Sequence, residues 1–141
     1  MKKLNIEGLL NAFLGLFVVL TPVLLPVCQG MLELANGNKV PMRCHWTAQA
    51  EMLLGALILI AGLIQAFAAN PDARRALSQM VTFLGLAVVL TPIFIIPTCT
   101  NPDMACNVGT KPALLILGGL TILAGLIGSR PSRRQPDALA A

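Results

Sequence analysis

Four long apolar runs constrain this 141-residue chain more than any other feature. A helix needs about 20 apolar residues to cross the hydrocarbon core of a bilayer, and lipid offers no partner to an open backbone group. Each run therefore predicts a transmembrane helix, and together they predict an all-α membrane fold. Only 11% of the residues are charged, whereas a soluble domain carries about 25%. The four runs are Ile6–Val27, Thr47–Ala69, Leu77–Ile96 and Lys111–Ile127.

One apolar sequence segment occurs twice in the chain. FLGLFVVLTP at residues 13–22 recurs as FLGLAVVLTP at residues 83–92, with nine of ten residues identical. Residues 47–64 also match residues 110–127 at nine of eighteen positions. The recurrence predicts two duplicated helical hairpins, residues 1–69 and 70–128, as a parallel internal repeat within one integral domain. A basic tail follows at residues 129–141.

The basic residues predict the orientation of the helices. Seven of the ten lie at the N-terminus, in the segment between the hairpins, or in the tail. Lys and Arg mark the cytoplasmic side of a membrane. We therefore expect the chain in the cytoplasmic (inner) membrane, with both termini in the cytoplasm. The loops at residues 28–46 and 98–110 are then extracytoplasmic. The tail is expected to contact lipid headgroups, and no nucleic-acid partner is predicted.

All four cysteines, Cys28, Cys44, Cys99 and Cys106, lie in or beside these two loops. An oxidising exterior permits disulfides, and four cysteines allow three pairings. The repeat favours Cys28–Cys44 and Cys99–Cys106, one structural bridge in each hairpin.

Two other interpretations of the cysteines remain open. The outline of four spans with outward cysteine pairs resembles the disulfide-forming membrane oxidoreductases and the vitamin K epoxide reductase relatives. Those families carry a Cys-x-x-Cys pair, which this chain lacks. Alternatively, the cysteines could converge with Met42, His45 and Met104 on a soft metal such as copper(I) or zinc. The favoured interpretation needs neither a cofactor nor a metal.

The densest polar stretch, PMRCHW at residues 41–46, is DMACNV in the second copy. Arg43, His45 and Trp46 are therefore special to the first hairpin. Glu51 lies about one turn inside the second span, where the repeat has Leu114. An acidic residue within a span is a candidate functional residue, although it could also be hydrated near the surface. Together Arg43, His45, Trp46 and Glu51 are the predicted ligand or partner surface, and Trp46 could also anchor the helix at the interface.

Two further patterns concern packing. Pro22 and Pro92 each follow a threonine near the outer end of a span and predict helix kinks. Each span also carries two small residues seven apart, which predicts a shared packing face. These pairs are Gly8 and Gly15, Gly55 and Gly62, Ser78 and Gly85, and Gly118 and Gly125.

The motifs MRCHW and CTNPDMAC, the latter leading into GTKPALLILG, resemble a small prokaryotic four-span membrane family catalogued as a domain of unknown function. The resemblance covers residues 8–128. It implies an integral membrane protein with paired cysteine loops and an association with transport systems of the ABC-permease type, and it assigns no catalytic residues. The residues themselves contain no phosphate-binding loop, metalloprotease motif or serine elbow. We therefore expect a non-enzymatic accessory or assembly subunit, with the lipid bilayer and either a membrane-protein partner or further copies of itself as partners. A membrane thiol–disulfide oxidoreductase or a small soft-metal-handling protein is the alternative.

Overall fold

The structure, a computed structural model, describes residues 5–25, 30–97, 103–104 and 106–130. Cys28, Cys99, Lys2, Lys3 and the tail beyond Arg130 lie outside the described residues. The elements are α1 (Ile6–Leu24), β1 (Met31–Glu33), β2 (Lys39–Pro41), α2 (Arg43–Phe67), α3 (Pro71–Leu90) and α4 (Lys111–Gly128). A π-helical turn at Thr91–Ile95 extends α3, and another at Cys106–Thr110 precedes α4.

The described part of the chain contains four helices that are long and apolar enough to cross a membrane. The predicted all-α membrane fold is therefore confirmed. Two helices begin before their apolar runs: α2 starts at Arg43 and α3 at Pro71. The polar start of α3 is helical because proline suits the first helical position and Asp72 lies in the first turn, where the helix dipole favours an acid.

Helix α1 packs along α2, and α3 packs along α4, while α2 also contacts α3 and α1 contacts α4. The predicted small-residue faces are confirmed, because all eight of those residues are buried. The backbones approach closely at the crossing of α1 and α2. A Cβ added to Gly15 would lie 2.9 Å from the Gly55 carbonyl oxygen, and one added to Gly55 would lie 3.0 Å from that of Gly15. Small residues thus permit close contact between the backbones. In lipid this packing stabilises helix association, because no hydrophobic effect draws the helices together.

The centre of the bundle is aliphatic. Its fully buried side chains are Val18, Ile58, Val81, Val88 and Leu114, contributed by all four helices. Large apolar side chains such as Phe83 and Leu53 point outward instead, 72% and 64% exposed. An apolar exterior of this kind suits a lipid environment.

A short antiparallel β-hairpin, which the sequence interpretation did not predict, links α1 to α2. Leu32 pairs with Val40, and Glu33 pairs with Lys39, whose ammonium lies 3.4 Å from the Glu33 carboxylate. The turn uses Gly37 at φ +74°, a conformation that glycine adopts readily. Its Asn-Gly sequence is a strong short-range hairpin signal, so the element was predictable.

Both π-helical turns occur where the second of two similar sequence segments is one residue longer than the first. Pro26 follows Pro22 by four residues, whereas Pro97 follows Pro92 by five. An extra residue in an α-helix rotates everything beyond it by about 100°. A π-helical turn takes up one extra residue and limits that rotation.

The two threonine hydroxyls beside the prolines bond within their own helices. Thr21 Oγ1 donates to the Phe17 carbonyl at 2.7 Å, and Thr91 Oγ1 donates to the Ala87 carbonyl at 2.8 Å. Each proline has no N–H to donate to the carbonyl of the residue four positions before it. The threonine hydroxyl bonds the carbonyl of the residue immediately before that one. The kinks at Pro22 and Pro92 stay a prediction.

Candidate functional site

Cys44 and Cys106 lie side by side where α2 and the π-helical turn before α4 begin. Their sulfur atoms are 3.2 Å apart, within hydrogen-bond distance, and each residue is 1% exposed. The structure therefore brings together two cysteines that are 62 positions apart along the chain. The pairing predicted within each half stays a prediction, because Cys28 and Cys99 lie outside the described residues.

A small cavity of about 10 Å³ adjoins the two sulfur atoms. This volume admits about one water molecule and no organic substrate. The Thr110 hydroxyl is buried here without a hydrogen-bond partner in the described structure, whereas its counterpart Thr47 donates to the Ile96 carbonyl at 3.0 Å. The chemistry available at this site is therefore that of the thiols themselves. The cavity is lined by Cys44, Thr47, Ala48, Cys106, Thr110, Lys111 and Leu114.

Glu51 is buried inside the bundle, with no exposed surface. Neither carboxyl oxygen has a hydrogen-bond partner among the residues that the structure describes. Glu51 lies on the same face of α2 as Gly55, which packs on α1. The interpretation of Glu51 as a hydrated surface group is therefore wrong. A carboxyl group so enclosed must be neutral or find a cation, which keeps it a candidate functional residue.

Arg43, His45 and Trp46 form an exposed cluster at the start of α2. The rings of His45 and Trp46 meet edge-on, with centroids 5.9 Å apart and planes at 81°. His45 Nε2 also lies 3.1 Å from the Gln49 side-chain nitrogen. The predicted surface is thus divided: Arg43, His45 and Trp46 are exposed, whereas Glu51 is buried.

A buried polar network at the opposite end of the bundle escaped the sequence interpretation. The Asn11 amide donates to Gln65 Oε1 at 2.8 Å, and Gln65 Nε2 donates to Ser78 Oγ at 2.7 Å. All three side chains are at most 1% exposed, and they tie α1, α2 and α3 together. The available signal was an amide residue on the small-residue face of α1, three residues after Gly8.

Within the described ranges, no group of three or more His, Cys, Asp or Glu side chains could hold a metal ion. The soft-metal and oxidoreductase alternatives stay predictions, since both involve Cys28 and Cys99.

Comparison with known proteins gives one match. The family model described as Domain of unknown function (DUF4418) matches residues 11–129. Neither the curated proteins nor the solved structures gave a match.

Proposed function

This chain belongs to the DUF4418 family, a domain of unknown function, and because that description names no activity we propose a function from the chain's own residues. It is a non-enzymatic multi-pass subunit of the cytoplasmic membrane that binds and helps to assemble a larger membrane complex. The resemblance drawn from its loop motifs implies a complex of the ABC-permease type.

The observation that supports binding is the exposed apolar face of the β-hairpin. Leu32 and Val40 are direct cross-strand neighbours and therefore share a face, on which Leu34 also lies. These side chains are 52%, 39% and 47% exposed. A two-stranded hairpin is at best marginally stable in water without a surface to pack against. A partner protein that covers this face would stabilise the hairpin and bury its leucines.

The neighbouring exposed residues supply specificity. Arg43 carries a positive charge with hydrogen-bond donors, and Trp46 is 54% exposed beside it. Arginine and tryptophan are enriched among the residues that dominate binding energy at protein interfaces. The hairpin and this cluster adjoin, since Met42 N donates to the Gly30 carbonyl at 3.3 Å.

In the proposed orientation this surface lies on the extracytoplasmic side of the membrane. Arg74 and Arg75 lie at the start of α3, between the two halves, which is the end of the bundle opposite to the β-hairpin. Their positive charge supports a cytoplasmic location for that end and an extracytoplasmic one for the hairpin. The cysteine loops then lie where disulfides form.

The test is the size of the complex extracted from native membranes. Membranes are dissolved in a lipid-retaining copolymer and resolved on a native gel, and the proteins that co-migrate with the chain are identified by mass spectrometry. We expect the wild type in a complex with another membrane protein, and Leu32→Asp to release it. Met31→Asp is the matched control, because Met31 is adjacent, at least as exposed to solvent as Leu32 (63% against 52%) and on the opposite face.

A wild-type chain that runs only alone or with differently tagged copies of itself would refute the accessory role. Equal effects of the two aspartate variants would refute the hairpin face as the contact.

A further inference from the structure

We infer that Cys44 and Cys106 form a disulfide that joins the two halves of the bundle, in place of the bridges within each half that the repeat favours. This inference rests on the outward placement in the proposed function, because a disulfide needs an oxidising compartment.

The first argument is proximity. The sulfur atoms lie 3.2 Å apart, and a disulfide bond is about 2.05 Å long. A movement of about 1 Å, well within the range of side-chain rotation, would bring them to bonding distance. Both side chains are 1% exposed, so the surrounding helices already hold each sulfur towards the other.

The second argument is the π-helical turn at Cys106–Thr110. Cys44 precedes the buried Thr47 by three residues, whereas Cys106 precedes the buried Thr110 by four. Continued as an α-helix, the longer segment would turn Cys106 about 100° from the direction of its counterpart. The wider turn takes up the additional residue and leaves Cys106 facing Cys44.

The chemistry needs an external oxidant, for which we name the disulfide of an extracytoplasmic thiol oxidase. One thiolate attacks that disulfide and forms a mixed disulfide, and the second thiolate then displaces the oxidase sulfur. The two cysteines together lose two protons and two electrons, and the oxidase disulfide is reduced to two thiols. Since both sulfurs are buried once the bundle has closed, we expect exchange while the halves associate and little reduction afterwards.

Methionine positions make the pairing directly readable. Cyanogen bromide cleaves after methionine, and the chain has six, at positions 1, 31, 42, 52, 80 and 104. Complete cleavage therefore leaves each cysteine in a different fragment: residues 2–31, 43–52, 81–104 and 105–141. Native membranes are first treated with N-ethylmaleimide to block thiols, and the full chain is then purified, denatured, cleaved and analysed by mass spectrometry without reductant.

The expected product is fragment 43–52 joined to fragment 105–141. We also expect mild reductant to break this disulfide only after the chain has been denatured. The joined product should vanish in Cys44→Ser and in Cys106→Ser. It should persist in Cys28→Ser, which is the matched control. Fragment 43–52 joined to 2–31, with 105–141 joined to 81–104, would overturn the inference. So would zinc or copper that co-purifies in stoichiometric amount and is lost in Cys44→Ser.

A second arm separates this inference from the proposed orientation. The purified full chain is reduced and unfolded in sodium dodecyl sulfate, and is then refolded into mixed micelles in the presence of diamide, so that the thiols are accessible while the bundle forms. The links are mapped in the same way. A Cys44–Cys106 link that forms with diamide but is missing in native membranes supports the pair and refutes the outward placement. If the link fails to form under both conditions, the pair itself is refuted.

Discussion

Replacing Gly62 with alanine tests whether α1 and α2 meet through their backbones. An added Cβ would lie 2.8 Å from the Ala12 Cα and from the Asn11 carbonyl carbon, and nearer still to the Ala12 nitrogen. Ordinary van der Waals contact begins at 3.4 Å, so the helices would have to separate by at least 3.4 − 2.8 = 0.6 Å. All three obstructing atoms belong to the backbone, so no side-chain rotation can relieve the contact.

The expected cost follows from that separation. A gap of about 0.5–1 Å forfeits about a quarter to a half of the attraction at each contact along the interface. Overpacking a well-packed core costs about 1–3 kcal/mol and occasionally more. Since the whole contact between α1 and α2 must open, including the approach of Gly15 to Gly55, we expect Gly62→Ala to lower the free energy of unfolding by about 3 kcal/mol.

The assay is unfolding of the purified chain in mixed micelles with increasing sodium dodecyl sulfate, followed by helical circular dichroism. Gly119→Ala is the matched control, because a Cβ at that position of α4 has no atom within 4 Å. Alanine is favoured over glycine within a helix by about 1 kcal/mol in water, so the control should be as stable as the wild type or slightly more stable. The same stability for both variants would refute the backbone contact.

Three further predictions use the same unfolding titration or the diamide link. Glu51→Leu should raise the free energy of unfolding by about 1–3 kcal/mol, because it removes a buried carboxyl group that has no partner in the described structure, and a loss of stability would contradict that burial. Gln65→Leu should lower the same quantity by about 1–3 kcal/mol, because it leaves Ser78 and its other amide partner without their bonds, and an unchanged value would refute the network. Deleting Asn107 leaves three residues from Cys106 to Thr110, the same spacing as from Cys44 to Thr47, and should preserve the disulfide that diamide forms between the halves. Deleting His45 should abolish this disulfide, because it shortens the spacing from Cys44 to Thr47 and turns Cys44 by about 100°. Equal link yields in the two deletions would contradict the role of the π-helical turn.

The features that the sequence predicted are those that depend on local periodicity. The four spans follow from apolar length, and the buried faces follow from small residues two turns apart. Helix α3 begins at Pro71, six residues before the predicted apolar span, because hydropathy locates the hydrocarbon core rather than the end of a helix. The β-hairpin was not predicted, although Asn36 and Gly37 are a hairpin signal, because each strand is only three residues long and shows no clear alternating pattern.

The buried polar contacts were harder to predict, because they depend on how helices cross and rotate. Asn11 and Gln65 are 54 positions apart along the chain, and nothing in either segment says that they meet. The burial of Glu51 has the same origin. Its depth of one turn is compatible with a hydrated location, and its burial depends on the rotation of α2, which places Glu51 on the same helix face as the buried Gly55.

The position of Cys106 combines both kinds of information. Comparison of the two copies shows that the second is one residue longer before Thr110, but the extra residue could equally have been taken up in the preceding loop. It is taken up within the helix, because Cys106 and Thr110 are both buried and flank the extra residue on the same side of the bundle. The requirement that this buried face keep its direction therefore decides the winding of the helix before α4, and this is why Cys106 faces Cys44 although the second segment is one residue longer.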